Sequence, residues 1–166
     1  MANQDCPRGF RAVGHMTGGQ IRTRKYVVTT SSTIYKGDPV IVTSAGTVTP
    51  AASTDTTAIL GVAAEYKTTA KDILIYDDPN IIYEVQTTDS ATTAAASVFT
   101  TADMITYAAG NSTTGLSIME LADSGTSTGQ FLIIGLSERP DNAWGEFSKV
   151  LCILNQTAYK EGYAGV

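Results

Sequence analysis

The sequence predicts an all-β fold, in the form of a small β-barrel or a sandwich, and three observations support this. Threonine occurs 25 times in 166 residues, and its β-branched side chain favours strands while its hydroxyl keeps a surface polar without charge. Apolar residues make up 43% of the chain, which is sufficient for a core. Short β-branched runs recur roughly every eight to twelve residues between glycine and Asp-Pro turns, a spacing typical of barrels and sandwiches.

The N-terminal region differs from the rest of the chain. Residues 1–20 contain Pro7 and four glycines, and their apolar residues show no sustained helix or strand period. We therefore predict an extended N-terminal arm at residues 1–20, a β-barrel body at residues 21–157 and a C-terminal tail at residues 158–166. No fixed-period repeat and no linker interrupts the body.

Strand signals begin at residues 21–30, IRTRKYVVTT, where polar and apolar residues partly alternate before a β-branched run. Gly61 lies within a later apolar run, where a bulge or a close approach of another backbone is typical. The elements predicted in this half are a turn at 36–39, strands at 40–42 and 47–49 on either side of a tight reversal at 44–46, and a strand at 58–66.

The second half of the chain continues this pattern less regularly. Residues 90–115 are rich in alanine and threonine, and we predict one short helix within them, around residues 102–109. The remaining apolar runs predict strands at 73–76, 81–87, 117–121, 131–136 and 147–154.

Two adjacent carboxylates, Asp77 and Asp78, lie between two apolar runs in the stretch LIYDDPNIIY. Such a pair can hold a metal ion or act as acid and base, but the Asp-x-Asp-x-Asp-Gly spacing of a calcium loop is absent. Pro79 fixes φ and Asn80 tolerates left-handed backbone, so the stretch predicts a hairpin turn between two barrel strands. At a loop tip, both charges would be available to a basic arm from a neighbouring protomer.

The sequence predicts no enzyme active site. Ser127 lies in GTSTG, which matches the G-x-S-x-G nucleophile elbow, but a strand pattern follows it where that elbow needs a helix. His15 is the single histidine and precedes Ser127, whereas the histidine follows the serine in that fold. Cysteine and histidine spacings assemble no zinc site, and the sequence has no glycine-rich phosphate loop. We therefore expect a non-catalytic protein with no cofactor and no metal.

Charge is unevenly distributed along the chain. Residues 1–25 hold five basic side chains and one acidic, or +4, while residues 26–166 hold 6 basic and 15 acidic, or −9, and together these give the net charge of −5. A basic arm on an acidic body indicates that the arm pairs with an acidic surface, either its own body or that of a neighbour. The acidic body argues against nucleic-acid binding, which needs clustered cations.

Candidate partner-binding residues follow from this charge pattern and from the aromatic residues near the C-terminus. Trp144 can be an interface anchor or part of the core, and the tail around Tyr159 and Tyr163 can be a docking segment or a frayed end. The full candidate set is Arg8, Arg11, Arg22, Arg24, Lys25, Trp144, Tyr159 and Tyr163.

Cysteine usage and hydropathy indicate neither a secreted nor a membrane protein. Cys6 and Cys152 match no CxxC spacing, and two unpaired thiols in a reducing cytoplasm are favoured over a single bridge. The first ten residues, MANQDCPRGF, contain no apolar signal-peptide core. The longest apolar run, at 131–136, is far too short to span a membrane. We expect synthesis in the cytoplasm and no membrane partner.

The segment KGDPVIVTSAGTVTPAASTDTTAILGVAAEY, residues 36–66, resembles the core signature of head decoration (cement) proteins of tailed bacteriophages. That signature is a Gly-Asp turn, a β-branched strand, a glycine hairpin, a Thr/Ala stretch and the strand ILGVA. Other stretches are similar to decoration-type proteins as well, namely GFRAVGHMTGG, LIYDDPNIIYEVQ, GNSTTGLSIMEL and LIIGLSERPDNAWGE.

The resemblance implies a lambda-type small β-barrel, called a β-tulip, in a non-catalytic protein on the capsid exterior of a virion. It implies that the protein binds the major capsid protein, staples neighbouring subunits together and assembles as a trimer. The arm would order on the shell, where its basic residues would meet acidic groups. Deleting residues 1–20 is then expected to weaken capsid binding and to leave a folded body.

Two alternatives to a decoration protein stay open at this point. The first is another virion structural module, such as a fibre or adhesin domain that binds a receptor or a glycan, because a Thr-rich β surface suits that role equally well. The second is a hydrolase that uses Ser127 or Asp78.

Overall fold

The computed structural model describes residues 3–53, 58–89, 93–105, 110–122 and 129–159. They form fourteen short strands and one turn of 3-10 helix at Ala95–Ser97, with no α-helix in these ranges, so the predicted all-β class is confirmed. No helix in the described chain is long and apolar enough to cross a membrane. The strands are β1 (Arg11–His15), β2 (Arg24–Val27), β3 (Thr33–Ile34), β4 (Pro39–Val42), β5 (Val48–Pro50), β6 (Gly61–Ala63), β7 (Lys67–Thr68), β8 (Asp72–Tyr76), β9 (Ile81–Gln86), β10 (Thr101–Ala102), β11 (Met104–Ile105), β12 (Glu120–Leu121), β13 (Phe131–Leu136) and β14 (Lys149–Leu154).

Five strands form the first large sheet, in the order β1-β9-β14-β13-β10, and every neighbouring pair is antiparallel. Buried and half-buried residues alternate along β9 and β14, as expected when one face of a sheet packs on a core. Phe131 pairs with Leu154 across β13 and β14, and Tyr83 pairs with Cys152 across β9 and β14. All four side chains lie in the larger of two hydrophobic clusters.

The second large sheet has the order β2-β8-β6-β4-β5 and packs around the smaller cluster, which includes Ile73 and Ile75. A parallel bridge joins Val28, just after β2, to Val48 of β5, and the amide of Thr29 donates to the carbonyl of Val48 at 2.9 Å. The bridge brings the two edge strands together at one end. Among the described residues no ladder of paired strands closes either large sheet into a barrel, and the structure supports the all-β class of the prediction.

Two short antiparallel pairs, β3 with β7 and β11 with β12, complete the observed strand pairing. The helix predicted around residues 102–109 is wrong in its first half, because Ala102 ends β10 and Met104 begins β11. Both side chains are buried while their neighbours are half-buried, and this period of two is that of a strand. Strand pairing therefore overrides the helix propensity of alanine here, and residues 106–109 lie outside the described ranges.

The segment at residues 36–66 contributes β4, β5 and β6, which lie side by side with β8 in the second sheet. Its first turn is held by the Asp38 carboxylate, which accepts a hydrogen bond from the backbone amide three residues earlier at 2.8 Å. Its tight reversal contains Gly46 at a φ of +75°, a left-handed conformation that favours glycine. A Cβ at Gly61 would lie 2.1 Å from the carbonyl oxygen of Tyr76, so the predicted close approach of another backbone is confirmed.

The Asp-Pro-Asn turn connects the two large sheets. Strand β8 ends at Tyr76 and β9 begins at Ile81, and the amide of Ile81 donates to the carbonyl of Asp78 at 3.2 Å, with Pro79 and Asn80 between them. The predicted turn is confirmed, but the predicted hairpin is wrong, because β8 pairs with β2 and β6 whereas β9 pairs with β1 and β14. The long edges of both strands are already occupied by other strands, so the turn carries the chain from one sheet to the other.

The N-terminal residues belong to the body rather than to a separate arm. Phe10 is 2% exposed, and its ring stacks on Phe131 in the larger cluster. The next five residues are β1, an edge strand of the first sheet that pairs with β9. The predicted boundary at residue 20 is therefore wrong. A register shift between Ala12 and Gly14 interrupts the alternation of inward and outward side chains, so the sequence of this short strand shows no clear period of two.

Gly9 allows the N-terminal segment to pack closely on the body. Its φ is +65°, and a Cβ at this position would lie 2.5 Å from the Cβ of Ser117 and 2.7 Å from the carbonyl oxygen of Gly37. The amide of Phe10 donates to the same carbonyl at 2.9 Å. Backbone conformation and lack of space thus both exclude a side chain at Gly9, where the chain passes from exposed Arg8 to the buried phenylalanine.

Candidate functional site

Two surface cavities contain most of the candidate partner-binding residues. The first, which we call the N-terminal cavity, has a volume of about 160 Å³, and its lining includes Arg8, Arg11, Glu84, Arg139, Asp141 and Lys149. The second, the Asp-turn cavity, has a volume of about 300 Å³, and its lining includes Arg22, Arg24, Asp77, Asp78 and Tyr159. Four of the five predicted basic residues are therefore divided between two cavities, and Lys25 lines neither of them.

Residues 3–9 form one wall of the N-terminal cavity and are fixed to the body by hydrogen bonds. The side-chain amide of Asn3 donates to the carbonyl of Glu146 at 2.7 Å. The backbone amide of Cys6 donates to the side-chain oxygen of Gln86 at 2.9 Å. Because these partners belong to the same chain, the position of the segment does not depend on a second protein.

Glu84 organises the arginines of the N-terminal cavity. Its Oε1 atom lies 3.1 Å from Nη2 of Arg11 and 3.1 Å from Nη1 of Arg139, and its Oε2 atom accepts a hydrogen bond from the Ser137 hydroxyl. The Glu84 side chain is only 11% exposed, whereas those of Arg11 and Arg139 are 59% and 41% exposed. A nearly buried carboxylate thus holds two guanidinium groups at the surface, one from β1 and one from the loop after β13.

The N-terminal cavity carries an excess of positive charge. Four basic side chains line it against the two carboxylates of Glu84 and Asp141, which leaves +2. Lys149 donates to the carbonyl of Gln4 at 3.1 Å, and Arg139 Nε lies 3.6 Å from the Asp141 carboxylate. Arg8 is exposed and makes no ion pair with any residue that the structure describes.

Asp77 is buried in the Asp-turn cavity, with 6% of its surface exposed. Its Oδ2 atom accepts hydrogen bonds from the hydroxyls of Tyr26 at 2.7 Å and Tyr159 at 2.8 Å, and Arg24 Nε lies 3.4 Å away. Burial, together with the hydrogen bonds to Tyr159 and Asp77, raises the pKa of Tyr26 above its usual value. The expectation that Asp77 is available to a neighbouring protomer is wrong, because Arg24 of the same chain already occupies it.

Asp78 is bonded within its own turn and to His15. Its Oδ1 atom accepts a hydrogen bond from the Asn80 amide at 2.9 Å, and its Oδ2 atom lies 3.1 Å from His15 Nε2. The Asn80 amide lowers the pKa of Asp78, burial opposes this effect, and the bond to His15 adds to the lowering. The carboxylate therefore stabilises the turn and the end of β1 together.

His15 has a carboxylate on one ring nitrogen and a hydroxyl on the other. Its Nδ1 atom lies 3.1 Å from the Thr17 hydroxyl, so Thr17, His15 and Asp78 follow the contact order of a nucleophile, a base and an acid. The same Nδ1 atom also accepts the backbone amides of Thr17 and Gly19, each at 3.3 Å. Since a general base needs a free lone pair, the observed contacts are those of a ring that caps the loop after β1.

The remaining predicted residues lie in separate places. Lys25 pairs with Asp72 across β2 and β8 at 2.8 Å, and both side chains are exposed. Trp144 is half-buried and packs against the larger cluster, which is the core role left open for it. Cys6 and Cys152 are both free thiols, as predicted.

The C-terminal tail is attached to the body as far as Tyr159. The amide of Ile59 donates to the carbonyl of Gln156 at 3.1 Å, and the amide of Ala158 donates to the carbonyl of Ile59 at 2.9 Å. These bonds bring the Tyr159 hydroxyl to the Asp-turn cavity. Tyr163 and Ser127, which the sequence marked as a partner-binding residue and as a hydrolase nucleophile, lie outside the described residues.

The chemical groups required for a metal site do not converge in the part of the chain that the structure describes. No three histidine, cysteine, aspartate or glutamate side chains approach one another there closely enough to hold an ion. No family model matches the chain. A search of curated proteins finds no match to it either. The site is therefore interpreted from its own geometry.

Sequence reasoning missed Glu84, Arg139 and Lys149, although they define the N-terminal cavity as much as Arg8 and Arg11 do. One signal was available, because Glu84 is a charged residue at the centre of the apolar run IIYEVQ. A charge in the middle of a strand indicates a face that is not packed on the core. Its contact with Arg139 depends on which strands pair and was not visible in the sequence.

Proposed function

We propose that this protein is a structural virion protein that binds the outer surface of a bacteriophage capsid and stabilises contacts between major capsid subunits. The observation that carries the proposal is the arrangement of the described part of residues 36–66, the segment that resembles decoration proteins. The strands β4, β5 and β6 of this segment lie in one sheet, and Gly46 takes a left-handed conformation in the hairpin between β4 and β5.

The N-terminal cavity supports a binding role because it is preorganised. Glu84 holds Arg11 and Arg139 in position, and hydrogen bonds hold residues 3–9 on the body. Groups that are already ordered lose little conformational entropy on binding, which favours affinity from a small contact area. In this proposal the N-terminal residues bind the shell as part of a rigid surface, which replaces the expectation of an arm that orders on the shell.

Symmetry would strengthen such weak contacts. A capsid presents many identical sites, and a trimeric protein bound at adjacent subunits converts later contacts into intramolecular ones. The partner in this proposal is the major capsid protein, and the location is the exterior of the virion. An acidic body with clustered cations at a cavity would direct that cavity toward acidic groups on the shell.

The proposal is tested by mixing the purified protein with capsids assembled without it and measuring the bound copies after sedimentation. We expect saturable binding and a higher temperature of capsid disruption. Capsids that already carry the protein are the control and should take up no more. Absence of saturable binding, or binding without a gain in thermal or chelator resistance, would contradict the proposal. Binding to host cells and not to capsids would favour a fibre or adhesin module instead.

A further inference from the structure

We infer that the N-terminal cavity is a binding site for a carboxylate group, supplied by an acidic side chain of a partner protein. This inference rests on the proposed function for the identity of the partner, but its chemistry is defined by the cavity alone. The relevant feature is the concentration of cationic donors at one concave place on a chain whose net charge is −5.

The arginines retain hydrogen-bonding capacity toward a ligand. A guanidinium group has five N–H donors, and Arg11 and Arg139 each direct one terminal nitrogen at Glu84. Arg8 contributes a third guanidinium, which makes no ion pair with a described residue and lies in the lining of the same cavity. Arginine binds carboxylates through two parallel N–H bonds, which fits a planar anion.

Glu84 does not abolish this capacity. Its two oxygens are already bonded to Arg11, Arg139 and the Ser137 hydroxyl, and the cavity retains +2 after Glu84 and Asp141 are counted. The carboxylate instead holds both arginines in the lining of the cavity through its Oε1 atom. A ligand carboxylate would therefore meet donors held in place by a charge that is itself nearly buried.

The size of the cavity favours a side chain over a larger ligand. Its volume of about 160 Å³ is below the range of roughly 300–1,000 Å³ that is usual for pockets of drug-sized molecules. Nucleic acid is recognised by extended basic surfaces that contact many phosphates, whereas here the cations surround a single concavity. An aspartate or glutamate side chain from another protein matches both the size and the charge.

The direct test is a titration of the full-length protein with the blocked peptide acetyl-Gly-Glu-Gly-amide, followed by ¹⁵N NMR. We expect saturable shifts of the backbone amides of Cys6, of residues 8–11 and of residues 84–86, with a dissociation constant in the millimolar range expected for a few exposed ionic contacts. The peptide acetyl-Gly-Gln-Gly-amide, which lacks the charge, should produce no saturable shifts at these residues. The same result for both peptides would overturn the inference.

A pair of matched variants separates a local site from general electrostatics. Arg8→Gln and Arg22→Gln remove the same charge from exposed arginines that make no ion pair with a described residue, but the second lies at the Asp-turn cavity. We expect Arg8→Gln to weaken peptide binding about fivefold, the change that corresponds to loss of one ionic contact. Arg22→Gln should change it less than about twofold. Equal effects of the two variants would overturn the inference.

Two further comparisons distinguish the outcomes. Inorganic phosphate that binds more tightly than the glutamate peptide would overturn the assignment to a carboxylate. Capsid binding that is weakened by Arg8→Gln and not by Arg22→Gln would support both the inference and the proposed function. Peptide binding at the cavity without capsid binding would leave the inference standing and remove the proposed function. Capsid binding without peptide binding would overturn the inference and leave the proposed function standing.

Discussion

The ring of Phe10 stacks on the ring of Phe131, with their centroids 4.3 Å apart and their planes inclined by 19°. Aromatic stacking adds to the stabilisation that comes from burial of both side chains. The contact joins a residue from the apparent N-terminal arm to a central strand of the first sheet. The N-terminal segment is therefore part of the core, and the stability of the fold depends on it.

Replacement of Phe10 by alanine should lower the free energy of unfolding by about 3–5 kcal/mol, because it leaves a cavity in a packed cluster. Urea unfolding measures the change. Val13→Ala, at an exposed position of β1, the strand that follows Phe10, should alter stability by no more than about 0.5 kcal/mol. Deletion of residues 1–15 should for the same reason prevent stable folding, contrary to the expectation for a free arm. Equal effects of the Phe10 and Val13 substitutions would show that the stacking contributes little.

Stability should depend on pH through Asp38. Burial raises the pKa of Asp38 to about 6, while hydrogen bonds from Ser117 and from the Tyr35 amide oppose the rise. Between the usual aspartate pKa of about 3.9 and this raised value, the folded protein binds the proton and the unfolded chain does not. Stability therefore falls as pH rises through this window, by roughly 2–3 kcal/mol in total for a shift of about two units.

The variant Asp38→Asn isolates this effect. It keeps an oxygen for the Tyr35 amide but removes the titration. Chemical unfolding between pH 4 and pH 7 should show the wild type losing stability with rising pH relative to the variant. Asp78, whose pKa is lowered, acts in the opposite direction and below this window, because its contribution is lost as pH falls through its folded pKa. Parallel curves for wild type and Asp38→Asn would contradict the prediction.

Phe99 should be a destabilising residue. It is 76% exposed and has a φ of +65°, a conformation that a bulky side chain adopts at a cost, and its amide donates to the carbonyl of Ile133 at 2.8 Å. Phe99→Asn should raise the free energy of unfolding by about 1 kcal/mol, since asparagine tolerates left-handed backbone. Phe99→Ala removes the ring and keeps the strain, so it should give no such gain. A loss of stability with asparagine would mean that the ring makes a contact that compensates for the strain.

The two cysteines should differ in reactivity. Cys6 is half-buried in the lining of the N-terminal cavity, whereas Cys152 is fully buried, and burial raises the pKa of the Cys152 thiol. A thiol reagent should therefore modify one cysteine in the native protein and two after unfolding. Mass spectrometry of the digested product identifies the modified residue, and Cys6→Ser should remove the native-state reaction. Modification of Cys152 under native conditions would contradict the packing of the larger cluster.

The elements that could be predicted from the sequence are those whose structure is determined by neighbouring residues. The predicted strand at 131–136 coincides with β13, because its apolar run is bounded on both sides by polar residues. Pro79 and Asn80 likewise identified the turn, since their backbone preferences do not depend on the rest of the fold. The short strand Arg11–His15 was missed, because a glycine, a bulge and two charged or polar residues conceal its alternation.

The candidate site was less visible because it is made by pairing between distant parts of the chain. Arg8 and Arg11 were recognised from the charge pattern, but their neighbour Glu84 is more than seventy residues away and Arg139 is 55 residues further on (139 minus 84). The pairing of β1 with β9 brings Arg11 opposite Glu84. No local pattern encodes that register, which depends on how the whole sheet packs on its core.

The most direct test of the proposed function is an electron cryo-microscopy map of capsids incubated with the purified protein. We predict ordered density for this fold on the outer surface, in contact with more than one major capsid subunit, with Arg8 and Arg11 facing a carboxylate of the shell. Capsids incubated with buffer alone should lack that density. A map at side-chain detail with no additional density outside the shell would contradict the proposal that this protein stabilises a capsid.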